Sequence, residues 1–429
     1  MSVKRIIFEQ VRARQIFDSR GNPTIQAYTG DGEITTTASV PSGASTGRHE
    51  ALELRDGGIE FGGKGVNRAI ENVEGPIASS LIHRSFADVR EVDLTMIKLD
   101  GTPNKSALGA NAILSVSMAA ARLFSRKNGL ELFEYISSVS GRRPSIPVPM
   151  LNIINGGVHA GGELAVQEFL IVPSGFKNIF DALRASSEIY QSLKAHLKRK
   201  YGPFASNIGD EGGFVPPVKK TEDALQSIVE SVTEAGYSPG TDVFLAIDAA
   251  ASEFYRDGIY VIDGKEMEPA ELGDYYISLA SKFPIVSIED PYDEEAFEDF
   301  AILNKRIGSK VQLIGDDIYV TNSARIRRGI EMKSSNAVLI KLNQIGTVSE
   351  TVDSSLLAVN AGMNAVVSHR SGETTDDFIA DLAVGLGTGQ IKTGAPARGE
   401  RVAKYNRLME IASGHPDIPF SSVVFFGRK

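Results

Sequence analysis

The stretch PIVSIEDPYDEEAFEDFAILNKRIGSKVQLIGDD, residues 284–317, contains one full period of the pattern that decides the fold. A short apolar run ends at Glu289, a helical segment follows from Glu295 to Arg306, and a second apolar run ends at Asp316. Short apolar runs bounded by turn signals are typical of strands buried on both faces, and helices between them favour parallel pairing. The stretch therefore predicts one strand–helix unit of a parallel sheet.

The same period continues in both directions along the chain. Successive apolar runs end in a polar residue at spacings of 41, 27, 25, 28 and 23 residues, at Asp248, Glu289, Asp316, Lys341, His369 and Lys392. Repeated strand–helix units close most readily into a (β/α)8-type barrel. Residues 148–213 are less regular, so we expect the first units of this α/β barrel to depart from strict alternation.

The chain before the barrel has a different pattern. Its β-rich runs are RIIFEQVRARQIFD, PTIQAY and ITTTASV, and helical patterns follow at Val66–His83, Asp88–Leu99 and Ala107–Lys127. Strands followed by helices predict a smaller α+β domain. The proline-rich segment SGRRPSIPVP, residues 140–149, is typical of a linker, so we expect an N-terminal domain at 1–140 and a catalytic barrel domain at 141–429.

Composition excludes several functional classes. The 429 residues include no cysteine, so disulfides, thiolate nucleophiles and cysteine-based zinc sites are excluded. A net charge of −9 gives no basic field for nucleic acid, and no Walker A or GxGxxG motif indicates a nucleotide. The N-terminus lacks a signal-peptide core, and the apolar stretch Ala107–Phe124 carries Asn111 and Arg122. We therefore expect a cytoplasmic protein with no membrane span.

The predicted strand ends carry the chemistry. Side chains at the C-terminal ends of barrel strands converge, although they are distant in sequence. Asp248, Glu289 and Asp316 would form a triad of hard oxygen ligands, for which Mg²⁺ is the natural occupant. One such carboxylate alone is as readily a helix cap, and the alternative for the triad is a buried acidic cluster neutralised by Lys341 and Lys392.

Lys341 ends the apolar run AVLIK and is the best candidate for a general base. A lysine acts as a base only when its pKa is lowered, and we expect nearby Mg²⁺ and Lys392 to lower it. The alternative is a structural lysine in a salt bridge.

Loops supply the remaining candidates. In SHRSGE, residues 368–373, Arg370 and the turn before a helix predicted from Thr375 would form an anion site with free helix-start N–H groups. An arginine in a loop is otherwise usually solvated. Glu211 lies in GDEGG, residues 209–213, and the alternative there is a simple tight turn.

Two further glycine-rich loops complete the set of candidates. NGGVHAGG, residues 155–162, contains His159 and precedes Gln167 and Glu168. SGASTG, residues 42–47, is either an ordinary linker or a lid that closes over a site on the barrel.

Together these motifs resemble the enolase family from end to end. The matching motifs, in chain order, are FDSRGNPT, SGASTG, HAGG with QEF, GDEGG, SIEDP, GDD with TN, KLNQIGT, SHRSGE and QIKTGAPARGER. A lysine or histidine base that works with Mg²⁺ on an ene-diolate is the known pattern of the wider superfamily. The resemblance implies a magnesium-dependent hydro-lyase that interconverts 2-phosphoglycerate and phosphoenolpyruvate in glycolysis and gluconeogenesis.

The resemblance also implies a role for each site residue. Lys341 would take the α-proton, and Glu211, assisted by Glu168, would help the β-hydroxyl leave as water. Lys392 and two Mg²⁺ would stabilise the dianion, Arg370 and Ser371 would bind the phosphate, and the residues that line the pocket would be His159, Gln167 and His369. The ligands of the first Mg²⁺ would be Asp248, Glu289 and Asp316, and Ser45 would reach the second on closure of the loop.

The family implies a homodimer or a larger oligomer built of dimers, with no nucleic-acid partner. One rival function is that of a racemase or cycloisomerase of the same superfamily, which would retain the carboxylate triad. Such enzymes generally lack a set such as Arg370, Glu211 and Glu168. A second rival is a binding protein that kept the fold and lost turnover, against which intact Lys341 and Glu211 argue.

Overall fold

The computed structural model describes residues 5–43, 47–157 and 164–421. Within residues 5–43 the chain forms an antiparallel meander in the order β2-β3-β4, as the β-rich runs predict. The strands before the barrel are β1 (Ile6–Ile7), β2 (Gln10–Phe17), β3 (Pro23–Gly30), β4 (Thr35–Ser39) and β5 (Ser85–Phe86). The short strands β1 and β5 pair with each other, which ties the start of the chain to the helices that follow.

Helices cover the meander. They are α1 (Asn67–Asn72), α2 (Ala78–Leu81), α3 (Val89–Asp100), α4 (Ala110–Lys127) and α5 (Leu132–Ser140). The helix predicted over Val66–His83 is interrupted by a π-helical turn at Val73–Ile77, which contains Pro76. Proline lacks the N–H that continues an α-helix, so the turn widens at that point.

The apolar helix α4 lies against β3 and β4, and most of its residues are buried. Its polar residue Asn111 donates a hydrogen bond to the carbonyl of Leu54 (3.0 Å) and accepts one from the N–H of the same residue (3.0 Å), which explains a polar group in this position. Among the described residues, none of the helices combines the length and the apolar character needed to cross a bilayer.

The second unit is a closed barrel, as the repeated strand–helix period predicts. Within residues 148–392 its strands follow the order β12-β13-β14-β15-β16-β6-β7-β8. They are β6 (Val148–Asn155), β7 (Glu168–Val172), β8 (Phe244–Asp248), β12 (Ile285–Glu289), β13 (Gln312–Gly315), β14 (Ala337–Ile340), β15 (Asn364–Ser368) and β16 (Gln390–Lys392). The last strand pairs with the first, Gln390 opposite Val148, and this pairing closes the barrel.

Strand β7 runs against both of its neighbours, so the expected irregularity of the first units is confirmed. Because β7 is reversed, its first residue lies at the end of the barrel where the parallel strands finish. Glu168 is paired there with Asp248, and Asp248 is paired with Glu289 on the next strand. The reversal therefore brings a carboxylate from the start of a strand into the ring of strand ends.

The helices of the barrel pack outside the strands. They are α6 (Ile179–Tyr201), α7 (Thr221–Glu234), α8 (Pro269–Lys282), α9 (Phe297–Ile307), α10 (Ser323–Met332), α11 (Leu342–Ile345), α12 (Val348–Asn360), α13 (Phe378–Leu386) and α14 (Gly399–Gly414). Inside the barrel, side chains such as Val148, Leu170, Ile314 and Val366 form a packed apolar cluster. The barrel is thus a filled core and not a pore.

A small sheet explains why the first of the spacings, 41 residues, is the longest. Between β8 and α8 the chain forms β9 (Tyr255–Arg256), β10 (Ile259–Ile262) and β11 (Lys265–Met267), paired antiparallel. The turns that join them place Asp257 and Asp263 at positive φ, each before a glycine, as tight hairpins require.

Hydrogen bonds close to the strand ends hold the first unit on the barrel. Arg122 on α4 donates to both oxygens of Asp376 (2.7 and 2.8 Å), in the loop that follows SHRSGE. Ser42, at the start of SGASTG, exchanges backbone hydrogen bonds with Gly372 (2.7 and 2.9 Å). The base of the predicted lid therefore rests on the loop predicted to bind an anion.

A buried carboxylate lies where α3 meets the barrel helix α12. Asp93 accepts a hydrogen bond from the backbone N–H of Ser349 (2.9 Å), while among the described residues its Oδ1 has no hydrogen-bond partner. Burial raises the pKa of Asp93 to about 6 from an ordinary value of 3.8, although hydrogen bonds from Ser117 and Ser349 oppose the shift. The charged form is thus less stable in the folded chain than in the unfolded chain.

We expect Asp93→Asn to gain stability relative to wild type as the pH rises. The unfolded chain releases the Asp93 proton near pH 3.8 and the folded chain near pH 6, so the wild type loses stability across this window. The free energy of unfolding of the variant, relative to that of the wild type, should rise by about 1–2 kcal/mol between pH 5 and pH 8. Urea unfolding at several pH values measures it, and parallel curves for the two proteins would contradict the expectation.

Candidate active site

Lys392 lies at the centre of the carboxylates at the strand ends. Its Nζ is 2.8 Å from Asp248, 2.9 Å from both oxygens of Glu289 and 3.2 Å from Glu168. These residues are brought together because β16 lies across the barrel from β7, β8 and β12. Burial by itself lowers the pKa of Lys392, but the charges of Asp248, Glu168 and Glu289 raise it well above its ordinary value.

Lys341 follows β14 and forms a salt bridge with Asp316. The amide of Gln344 donates to the other oxygen of Asp316 (2.9 Å). The expected lowering of the pKa of Lys341 depends on a nearby Mg²⁺ as well as on Lys392, and it stays a prediction. Burial, Arg370 and Lys392 act to lower this pKa, but the adjacent Asp316 carboxylate outweighs them and raises the pKa above its ordinary value.

Arg370 is buried and is not a solvated loop residue. Its guanidinium donates to both oxygens of Glu50 (2.9 and 3.1 Å) and to the amide oxygen of Asn343 (3.0 Å). The expected contribution from the next helix is wrong, because α13 begins at Phe378 and not at Thr375. The carboxylate of Asp376 accepts the first helical N–H, at 3.0 Å, so that group is not free for an anion.

Glu211 and Glu168 form a carboxylate pair on the other side of the cavity. Glu211 accepts hydrogen bonds from Asn152 (3.1 Å) and from the hydroxyl of Ser371 (3.2 Å), and Nε2 of His369 lies 3.3 Å from it. Burial and the charge of Glu211 raise the pKa of Glu168 well above its ordinary value. A hydrogen bond between the two carboxyl groups adds to this shift and favours the protonated form of Glu168.

One cavity joins these groups. The predicted site residues that line it are Gln167, Glu168, Glu211, Asp248, Asp316, Lys341, His369, Arg370, Ser371 and Lys392. Glu289 is buried beneath them against Lys392. Ser45 and His159 lie outside the described residues.

Acidic residues adjacent to the predicted triad also face this end of the barrel. Asp290, Asp316 and Asp317 bring ligand oxygens within 4.8 Å of one another, which suits a metal ion. Burial and mutual repulsion raise the pKa values of Asp290 and Asp317 well above the ordinary range. Asp290 also accepts the backbone N–H groups of the other two residues (2.9 and 2.8 Å), so it shapes the loop as well.

Five further residues of the site were not predicted from the sequence: Glu50, Asn152, Gln344, Asp290 and Asp317. The doubled acids in SIED and GDD were a signal for the last two, since adjacent residues at a strand end can both reach the cavity. Glu50 comes from the first unit, and no pattern in the sequence pairs it with Arg370.

Comparison with known proteins agrees with this arrangement. A family model described as enolase, N-terminal domain, matches residues 8–136, and one described as enolase, C-terminal TIM barrel domain, matches residues 143–418. The chain is 54% identical to the enolase of Thermococcus gammatolerans, with 94% of this chain and 93% of the relative covered. It is 53% identical to the enolase of Methanocaldococcus jannaschii, with 95% of each covered, and 52% identical to that of Pyrococcus furiosus, with 94% and 93% covered.

Membership of this family implies a divalent metal cofactor, and the buried carboxylates provide oxygen ligands for it. Two family models in chain order and relatives above half identity over nearly the whole length agree with the closed barrel and its ring of acidic and basic strand ends: the chain belongs to the enolase family.

Proposed function

We propose that the chain catalyses the reversible dehydration of 2-phosphoglycerate to phosphoenolpyruvate, as a hydro-lyase that requires Mg²⁺. The observation that carries the proposal is the meeting, in one buried cavity, of Lys341, the Glu168–Glu211 pair and Arg370. A base, a proton donor and an anion-binding arginine are the groups that this dehydration needs.

Arg370 and Ser371 bind the substrate phosphate in this proposal. The buried guanidinium of Arg370 already binds two oxygens of one anion, the carboxylate of Glu50, and a phosphate offers oxygens to the same two nitrogens. The phosphate then takes the place of that carboxylate. Gln167, His369 and, from the family pattern, His159 line the rest of the pocket.

Lys341 in its neutral form takes the α-proton. The electron pair of the C–H bond moves toward the carboxylate and gives a dianionic ene-diolate, which the charge of Lys392 stabilises. The pair then returns to form the double bond as the β C–O bond breaks. The departing oxygen receives the proton that Glu211 shares with Glu168 and leaves as water, so atoms and charges balance.

The carboxylates fit Mg²⁺. Asp248, Glu289 and Asp316 offer hard oxygen ligands, and the buried acids of this cavity outnumber Lys341, Lys392 and Arg370. We assign these three to a first Mg²⁺ and Ser45 to a second, with two ions per site. When bound, the metal supplies positive charge where the substrate carboxylate becomes doubly negative.

The domain boundaries, the cellular location and the oligomeric state are part of the same proposal. We propose an N-terminal unit at 1–140 and a barrel unit at 141–429, supported by the end of α5 at Ser140 and by the family matches to 8–136 and 143–418. As a glycolytic enzyme, the chain acts in the cytoplasm and assembles as a homodimer or a larger oligomer of dimers.

An absorbance assay for phosphoenolpyruvate tests the proposal directly. We expect product from 2-phosphoglycerate with Mg²⁺ present and none in excess chelator. Absence of product under both conditions, with racemisation or cycloisomerisation of another carboxylic acid, would favour the rival superfamily activity instead.

Arg370→Ala should lower kcat/KM for 2-phosphoglycerate by the equivalent of about 1.5–3 kcal/mol or more, because a two-point contact between charged groups is lost. Steady-state kinetics measure the effect, with exposed Arg327→Ala on α10 as the matched control. If both variants behaved like wild type, phosphate would bind elsewhere.

A further inference from the structure

Arg401, near the start of α14, is fully buried behind the loops that carry the site. Its guanidinium donates to Nδ1 of His369 (2.7 Å) and to the backbone carbonyls of Arg370 (2.6 Å), Ser371 (2.5 Å) and Asp210 (3.1 Å). One side chain thus joins the loop 368–373 to the loop that presents Glu211. The cost of burying the charge is offset by these hydrogen bonds, and such a group is retained for the geometry that it fixes.

The contact with His369 determines which ring nitrogen carries the proton. A guanidinium N–H can only donate, so Nδ1 of His369 must accept through its lone pair. A neutral imidazole with an accepting Nδ1 carries its hydrogen on Nε2. Nε2 lies 3.3 Å from a carboxylate oxygen of Glu211, although among the described residues it makes no hydrogen bond of ordinary geometry.

The packing around the pair leaves no room for a larger residue at position 394. A Cβ at Gly394 would lie 3.0 Å from Cδ of Arg401 and 3.1 Å from Cε1 of His369. Tyr405, also on α14, donates to the carbonyl of Gly394 (2.6 Å) and holds that backbone in place.

The charge state agrees with the geometry. Burial lowers the pKa of His369 to about 4, with the charge of Glu211 acting against the shift and that of Arg401 adding to it. His369 is therefore neutral at pH 7, and its tautomer is the remaining variable.

We propose that Arg401 is a positioning residue for the dehydration step, which fixes His369 as the neutral tautomer with its hydrogen on Nε2, on the side of the ring that faces Glu211. The inference rests on the proposed role of Glu211 as the group that gives the leaving hydroxyl its proton. A hydrogen on Nε2 stabilises the carboxylate that remains after the transfer. A lone pair in that position would instead compete for the proton.

Nuclear magnetic resonance of the full-length, ¹⁵N-histidine-labelled protein tests the tautomer without turnover. The His369 signals are assigned from their loss in His369→Gln. We expect an unprotonated Nδ1 and a protonated Nε2 in wild type at pH 7.5, averaged nitrogen shifts in Arg401→Met, and partial return of the wild-type shifts in Arg401→Lys. An unchanged tautomer in Arg401→Met would overturn the proposal.

Lys404→Met is the matched control. Lys404 is a second buried cation of α14, and it donates to Glu373 (2.8 Å) and to the carbonyl of Thr374 (2.6 Å) and not to the imidazole. We expect a lower melting temperature with the His369 shifts unchanged. A shift of the tautomer in this variant as large as that in Arg401→Met would show that general loosening of α14 is the cause.

A double-mutant cycle with Arg401→Lys and His369→Gln tests the proposal by kinetics if Arg401→Met does not fold. We expect Arg401→Lys to lower kcat roughly 10-fold in the wild-type background and less than about twofold in a His369→Gln background, since it acts through that ring. Its effect on KM should persist in both, because the carbonyls of Arg370 and Ser371 are still held less firmly. Equal loss of kcat in both backgrounds would overturn the proposal. If the wild-type protein lacked turnover but showed the expected nitrogen shifts, the proposed function would be wrong and the assignment of the tautomer would stand.

Discussion

Lys341→Ala is expected to stop exchange of the α-proton of 2-phosphoglycerate with solvent deuterium and to stop phosphoenolpyruvate formation with it. Loss of a positioned base costs about 10²–10⁴ in rate, and more where the carbanion is as unstable as this one. Lys341 follows β14 and lies directly against Asp316, and alanine removes its amine from that position.

Glu211→Gln separates the second half of the reaction from the first. Glu211 acts on the departing hydroxyl, on the opposite side of the cavity from Lys341, with hydrogen bonds to Asn152 and Ser371 that glutamine can largely retain. Product formation should fall while some exchange of the α-proton survives. Proton NMR of the substrate in deuterated buffer follows both events. Exchange retained without Lys341, or lost as completely in Glu211→Gln, would contradict this division of roles.

Lys392→Met is expected to destabilise the metal-free protein by about 3–5 kcal/mol, because removal of one partner leaves buried charges uncompensated. The carboxylates left behind are those of Asp248, Glu289 and Glu168. Burial raises the pKa values of both glutamates, so protons replace part of the missing charge at low pH, and the loss should be larger at pH 8 than at pH 6.

Metal should restore part of this stability, because a cation that binds the folded chain shifts the unfolding equilibrium. Denaturation in chelator and in saturating Mg²⁺ measures the recovery. Lys404→Met leaves the buried carboxylate of Glu373, which lies away from the triad, without its cation. This variant should lose stability, and Mg²⁺ should not restore a comparable part of it. Equal recovery in both variants would show that Mg²⁺ does not bind the carboxylates around Lys392.

The barrel was predictable because its signal is periodic. Each strand end recurs at the length of one strand–helix unit, and in a closed barrel those ends must converge. The same periodicity predicts that the side chains at four of these strand ends converge, and they lie together in the structure: Asp248, Glu289, Asp316 and Lys392.

The parts that were not predictable depend on contacts between distant segments. The hydrogen bond between Arg370 and Glu50 joins the two units through residues that lie 320 positions apart, and no local sequence pattern predicts it. Whether the pKa of Lys341 is raised or lowered depends on whether the charge of Asp316 or that of Lys392 lies closer to it. A difference of a few ångströms decides this, and the spacing of residues along the chain does not predict it. The start of α13 was shifted because Asp376 caps the first turn from inside the loop.

The closing pair of the barrel, Gln390 opposite Val148, has a consequence for biosynthesis. A ribosome must synthesise the chain as far as residue 392 before the final strand exists, so until then β6 and β15 each have one edge without a partner strand. The same short strand brings Lys392, without which the acids of β7, β8 and β12 repel one another. A nascent chain halted before residue 389 therefore lacks both its last ladder and its central counter-ion, and it should be a substrate for chaperones and proteases and not a partly active enzyme.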